Sequence, residues 1–349
     1  MDRVIRVLVV DDSAYVRKVV KQMLARSPFI EVVGTAHDGA EALELTAQLQ
    51  PDVVTLDLIM PVMDGITYLR TQMARRPVPV LVVSIASESG EAALTALDAG
   101  AVDFLQKPTA LATDRIYEIA DELIEKVKAV AAVNLVQKRP VASVAATAPI
   151  SSPTPRVRRN QADVVVLGIS TGGPYALKVL IPQFPADFPV PIAMVMHMPV
   201  GYTEMYARKL DETTALHVRE AQEGDLLVPG TALLAPAGRH LHLQRGQDGQ
   251  VFAHLDARPF DTPHRPAVDV LFQSAAAVFG SRTLGVVMTG MGADGRQGAA
   301  WIKAQGGIIL TEAEESCVVY GMPRSVVEAG LSDRSVPLEM MAQTILDMI

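Results

Sequence analysis

Short apolar runs alternate with amphipathic stretches in both the early and late parts of the 349-residue chain, and a stretch of small and polar residues separates the two. In the first 125 residues the runs at 4–10, 31–36, 53–56, 79–84 and 101–104 are brief and rich in Val, Ile and Leu, which predicts strands. The stretches at 14–26, 39–48, 65–75 and 88–99 carry helical periodicity. Strands that are apolar throughout and alternate with helices pair in parallel and are covered on both faces. The expected fold class is therefore α/β, beginning with a five-stranded parallel (βα)5, flavodoxin-like domain.

The alternation resumes at Asp163, with apolar runs at 163–167, 190–196, 283–289 and 307–310 and helical stretches from 175 onward and at 203–210, 267–279, 296–305 and 338–348. Residues 313–330 read as a loop and a helix. From 217 to 255 the pattern breaks into turns and short strands, with Pro229-Gly230 and Asp248-Gly249 as stops. This predicts a second doubly wound α/β domain whose mainly parallel sheet has an antiparallel excursion. Between the domains the chain is low in complexity and rich in Ala, Ser and Pro, which predicts a helix running out to about 136 and then a semi-extended tether. The expected division is a domain at 1–125, a linker at 126–160 and a domain at 161–349.

Charge sharpens this division. Residues 1–125 hold 11 Lys and Arg against 19 Asp and Glu, residues 126–162 hold seven basic and no acidic residues, and residues 163–349 hold 13 against 20. Two acidic domains joined by a basic connector do not suit a nucleic-acid binder, which concentrates positive charge on a folded face. The single cysteine, Cys317, excludes an intrachain disulfide and fits a reducing compartment. No apolar run is long enough to span a bilayer, and the first residues lack the apolar core of a signal peptide, so no membrane insertion and a cytoplasmic location are expected.

In the first domain the polar residues stand where strands end. Asp11 and Asp12 follow the first strand, Asp57 the third, Ser84 closes the fourth, and Lys107 comes just after the fifth. In a doubly wound sheet those ends converge on one edge. Three carboxylates there need a cation, and hard oxygen ligands suit Mg²⁺. Taken singly, each aspartate could cap a helix or occupy a surface turn. Val9-Val-Asp-Asp-Ser13, Leu56-Asp-Leu-Ile-Met-Pro-Val-Met-Asp-Gly65 and Ala101-Val-Asp-Phe-Leu-Gln-Lys-Pro108 resemble a response-regulator receiver domain. The resemblance implies phosphorylation of Asp57 by a sensor histidine kinase. It also implies Mg²⁺ held by Asp12, Asp57 and the Ile59 carbonyl with Asp11 acting through water, and a switch formed by Ser84, Lys107 and the aromatic Phe104.

In the second domain Gly168-Ile-Ser-Thr-Gly-Gly-Pro174 joins a strand to a helix. Such a turn either cradles a phosphate on glycine amides or presents Ser170 as a nucleophile, and the heptapeptide alone leaves both open. Ser170, His197 and Asp294 each stand in a turn that follows a buried run. A hydroxyl nucleophile needs a base, and the base needs an orienting acceptor, so three converging strand ends can supply all the roles. Singly, His197 could bond a backbone carbonyl and Asp294 could cap the next helix. The order Ser, His, Asp differs from that of α/β-hydrolases, and no P-loop lysine accompanies the glycines.

Six ordered motifs then point one way: 168–174, Met196-His-Met-Pro199, Ala235-Pro-Ala-Gly-Arg-His240, Arg265-Pro-Ala-Val-Asp-Val-Leu-Phe272, Met288-Thr-Gly-Met-Gly-Ala-Asp-Gly295 and Glu314-Glu-Ser-Cys-Val-Val-Tyr-Gly-Met-Pro323. They resemble the catalytic domain of the protein-glutamate methylesterases, and with a receiver in front the whole chain resembles the chemotaxis response-regulator methylesterase family. The resemblance implies a triad of Ser170 nucleophile, His197 base and Asp294 orienter, with Met291 and Thr171 supporting the oxyanion. It implies removal of methyl groups from glutamate methyl esters in the cytoplasmic domains of chemoreceptors, deamidation of receptor glutamines at the same site, and no cofactor for the esterase. A phosphorylation-controlled docking module and a broader serine protease or amidase are the rival functions. A receiver tethered to a hydrolase also raises the expectation that the receiver covers the active-site face.

Overall fold

The computed structural model describes residues 3–85, 90–107, 115–133 and 162–349. Most of the expected linker, and the residues directly after Lys107, lie outside the described residues. The first domain runs β1 (Ile5–Val10), α1 (Ala14–Leu24), β2 (Ile30–Ala36), α2 (Gly39–Leu49), β3 (Val53–Leu56), α3 (Gly65–Arg75), β4 (Val80–Ile85), α4 (Gly90–Asp98), β5 (Asp103–Lys107) and α5 (Arg115–Ala131). Its strands pair only in parallel, in the order β2-β1-β3-β4-β5. The alternation predicted five parallel strands, and their order is the flavodoxin-like one.

Local chemistry starts the helices. Ser13 accepts from the Val16 amide at the head of α1, Asp38 from Ala40 and Glu41 at α2, and Asp64 from Thr67 at α3. The fifth strand lies two to three residues later than 101–104. Ala101 still closes the turn after α4, its amide donating to the Ala96 carbonyl at 3.0 Å. The strand then carries on past the 101–104 run through the polar Gln106 and Lys107.

The second domain runs β6 (Val164–Ile169), α6 (Gly173–Leu180), β7 (Ile192–Met196), α7 (Thr203–Asp211), β8 (His217–Glu220), β9 (Thr231–Leu234), β10 (His240–Arg245), β11 (Val251–Asp256), α8 (Val268–Phe279), β12 (Thr283–Val287), α9 (Arg296–Ala304), β13 (Ile308–Glu312), α10 (Met322–Glu328), β14 (Arg334–Val336) and α11 (Leu338–Leu346). Seven strands form a parallel sheet in the order β14-β13-β12-β6-β7-β9-β8. The antiparallel part is confined to the separate β10–β11 pair. β8 and β9, inside the turn-rich region, instead extend the main sheet in parallel.

β6 lies near the middle of this sheet, and all six of its residues are buried. Val165, Leu167 and Ile169 pack into one apolar cluster and Val164 and Val166 into another, so alternate side chains feed the two faces. Each such burial contributes roughly 1.5–3 kcal/mol. The chain leaves β6 toward β7 on one side and later returns to β12 on the other. β6 therefore marks a topological switch point, where open α/β sheets place their ligands at the carboxyl ends of the strands.

Candidate active site

Three adjacent strands deliver the three predicted residues. Ser170 follows β6, His197 follows β7, and Asp294 lies in the turn after β12. His197 Nε2 is 2.8 Å from Asp294 Oδ2. Asp294 also accepts from the Val268 amide through Oδ2 at 2.8 Å and from the Asp269 amide through Oδ1 at 2.9 Å. Burial alone pushes the Asp294 carboxyl up, but His197 and these two amides outweigh it and hold it below the ordinary carboxylate range. Asp294 thus stays an anion beside the imidazole.

The other nitrogen of His197, Nδ1, is buried without a hydrogen-bond partner. Ser170 Oγ therefore rests outside bonding contact with it, and the serine–histidine bond expected of a triad is not made here. The His197 ring is further fixed by His264, which stacks on it with ring centroids 4.0 Å apart. The His264 contact was not legible in the sequence, because nothing in the residue pattern places the loop before α8 over the end of β7.

The turn that carries Ser170 is set by close backbone packing. Gly172 starts α6 at φ +82°, a conformation costly for other residues. The Ser170 amide donates to the Thr289 carbonyl at 3.0 Å, and a Cβ at Gly290 would lie 2.8 Å from that of Ser170. Thr289 is fully buried. Its amide donates to Glu312 Oε2 at 2.9 Å, and its hydroxyl donates to the Thr171 carbonyl at 3.0 Å. Thr289 and Glu312 therefore brace the turn from behind, a role that only the fold reveals.

Ser170, Thr171, His197 and Met291 open onto a cleft of ≈ 1010 Å³ whose opposite wall is the first domain, including Asp103 and Lys107. Thr171, predicted as oxyanion support, is buried, and its hydroxyl donates to Asp103 Oδ2 at 2.9 Å. Asp103 also receives Lys126 Nζ at 2.6 Å. Next along β5, Phe104 lies against Tyr202 of the second domain with centroids 4.8 Å apart. Beside them Lys178 and Lys209 both pair with Asp98 at the end of α4.

At the carboxyl edge of the first sheet, Asp11, Asp12 and Asp57 can each bring one oxygen within 4.8 Å of the others. Lys107 Nζ bridges Asp11 at 2.5 Å and Asp57 at 2.6 Å. Burial pushes the Asp11 carboxyl up, against the pull of the Lys107 ammonium. Asp57 Oδ1 accepts from the Leu58 amide at 2.7 Å. Ser84 is buried at the end of β4, and Ile59 lies exposed beyond β3. The donor set is all oxygen, as a hard divalent cation requires.

Comparison with known proteins agrees with this geometry. The CheB methylesterase family model matches residues 165–345, and the response regulator receiver domain matches residues 7–120. A Myxococcus xanthus protein named protein-glutamate methylesterase/protein-glutamine glutaminase 5 is 52% identical over 338 residues, which is 96% of this chain and 95% of that one. A Thermotoga maritima protein of the same enzyme name is 41% identical over 352 residues, covering 100% of this chain and 99% of that one. The solved Thermotoga maritima CheB methylesterase catalytic domain is 42% identical, with a TM-score of 0.53, and the match covers 54% of this chain and 100% of that one. An α/β receiver joined to an α/β domain with a Ser, a His and an Asp at one sheet edge, matched along its whole length, places this chain in the CheB methylesterase family.

Proposed function

We propose that the chain is a phosphorylation-controlled protein-glutamate methylesterase and protein-glutamine glutaminase acting through Ser170, His197 and Asp294. The observation that carries this reading is the 2.8 Å bond from His197 Nε2 to an anionic Asp294, with Nδ1 buried and unpartnered. With Nε2–H donating to Asp294, the lone pair of Nδ1 is left to take a proton from Ser170.

Ser170 Oγ attacks the γ-carbonyl carbon of a methylated glutamate while Nδ1 receives the hydroxyl proton. The C–O bond of the ester breaks, and the same proton leaves with methanol. Water then attacks the glutamyl–serine ester, His197 again moves the proton, and the products are a free glutamate and Ser170. A glutamine substrate follows the same path and releases ammonia. Asp294 holds the imidazolium in place and is not itself protonated. Backbone amides near Met291 and the 170–172 turn would serve as donors to the developing oxyanion, each such donor being worth roughly 3–4 kcal/mol in comparable sites.

Control belongs to the receiver. Asp57 is the phosphoacceptor, and Asp11, Asp12, Asp57 and the Ile59 carbonyl would hold Mg²⁺, which neutralises charge during phosphoryl transfer from a histidine kinase. Phosphate on Asp57 competes for Lys107, at the end of β5. The body of that same strand carries Asp103 and Phe104, which touch Thr171 and Tyr202. A shift of β5 toward the phosphate would loosen the receiver from the cleft and admit a chemoreceptor segment from the cytoplasm. A fluorophosphonate probe tests the chemistry: it should label the wild-type chain at Ser170, faster once a small phosphodonor and Mg²⁺ are present. Ser170→Ala should take up none, and labelling of that variant would contradict the assignment.

A further inference from the structure

The motif around Asp269 has no role in the chemistry above, yet its carboxylate sits directly behind the triad. Neither α8 nor α9 has a side chain at its own N-cap position that bonds its first turn, because those positions are Ala267 and Gly295. Each helix borrows a carboxylate from the other instead. Asp294, just before α9, accepts from the Val268 and Asp269 amides that open α8. Asp269, in the first turn of α8, accepts through Oδ1 from the Gly295 amide at 2.9 Å and the Gly298 amide at 2.7 Å, which open α9.

We infer that Asp269 is a positioning residue for catalysis: the crossed pair of caps locks the start of α9 to the start of α8 and so fixes Asp294 against His197. The physical case rests on connectivity. Asp294 has three partners, and two are amides of α8. The peptide that follows Asp294 is tied through the Gly295 amide to Asp269 on the same helix. Without the Asp269 carboxylate, the Gly295 and Gly298 amides lose a charged acceptor, and only one of the two ties between these helix starts remains. Burial, and after the amide bonds the nearby Asp294 charge, push the Asp269 carboxyl up to about 6, so this anion is retained at neutral pH at a cost that the α9 amides offset.

The inference depends on the triad reading, and its test separates the two. In the full chain, with a small phosphodonor and Mg²⁺ present, Asp269→Ala is compared with wild type for the rate of fluorophosphonate labelling at Ser170, for kcat and KM on ester substrate, and for the kinetic pKa of the base. The expected result is a labelling rate and kcat lower by between about 10- and 100-fold with KM unchanged. The kinetic pKa should also fall, because a loosened Asp294 stabilises the imidazolium less. Asp269→Asn keeps one acceptor oxygen and should fall between the two. Labelling, kcat and kinetic pKa within twofold of wild type in Asp269→Ala would overturn the inference. So would a loss of activity matched by a loss of folded protein with the kinetic pKa unmoved. Should the alanine variant not fold, a labelling rate and kinetic pKa in Asp269→Asn equal to wild type would overturn it. A wild-type chain that takes up no probe at Ser170 would instead remove the triad reading itself.

Discussion

Thr171 Oγ1 donates to Asp103 Oδ2 at 2.9 Å, which ties the residue next to Ser170 to the strand that ends at Lys107. Four positions along that strand, Lys107 bonds Asp57. A hydrogen bond to a charged group typically contributes about 1.5–3 kcal/mol, a large share of any equilibrium between covered and uncovered cleft. Asp103→Ala should therefore raise methanol release by unphosphorylated protein by roughly three- to tenfold, that energy being partly shared with Lys126. It should also narrow the stimulation given by phosphodonor. A basal rate equal to wild type would show that this contact is no brake.

The pairs of Lys178 and Lys209 with Asp98 join the same two domains at more exposed positions. Partly exposed ion pairs contribute about 0–1 kcal/mol. Asp98→Ala should raise the basal rate by less than Asp103→Ala, and added salt should raise the wild-type basal rate while leaving that of Asp98→Ala nearly flat.

A methyl group at Gly290 would meet Met322 Sδ at 2.4 Å and Ser170 Cβ at 2.8 Å. Met322 can yield, since its side chain is flexible, but Ser170 is held through its amide to the Thr289 carbonyl. Gly290→Ala should therefore displace Ser170 and lower kcat by about 100-fold. Overpacking of this kind costs only about 1–3 kcal/mol of stability. Thermal melting beside turnover checks this, and a variant that melts near wild type yet turns over normally would count against it.

The strand ends at Ser170 and His197 were legible because buried parallel strands are continuous apolar runs, and the first polar residue after each marks the edge of the sheet; Asp294 was legible from the glycine-rich turn that follows the third such run. The receiver carboxylates were legible for the same reason. Contacts between elements were not. Asp103 reads as a residue inside a strand segment, and only docking of the two domains brings it to Thr171. Asp269 reads as a helix residue, and only the crossing of α8 and α9 turns it toward Gly295. β8 and β9 were misplaced because a turn-rich stretch records where the chain bends and not which strand each piece will join. β14 is three residues long with two exposed, too short for any alternation to appear.

The pH dependence of stability should carry the mark of Asp269. Its carboxyl is raised from 3.8 to about 6, so its stabilising contribution is complete below pH 3.8 and is lost as the pH rises through 6. Melting temperature measured from pH 4 to 7 should fall less steeply in Asp269→Asn than in wild type, because the amide has no proton to lose. Equal slopes would place the raised carboxyl elsewhere.

Removal of Mg²⁺ by a chelator should abolish stimulation by phosphodonor and leave basal hydrolysis unchanged, as should Asp57→Ala in the presence of metal. A chelator that stopped basal hydrolysis would mean that a metal serves the ester site.

The most direct test of the account is methanol release from methylated chemoreceptor membranes, with and without a small phosphodonor and Mg²⁺. Release that rises with phosphodonor in wild type, stays at the basal level in Asp57→Ala and vanishes in Ser170→Ala is the expected result. Undiminished release by Ser170→Ala, or wild-type release indifferent to phosphodonor, would contradict it.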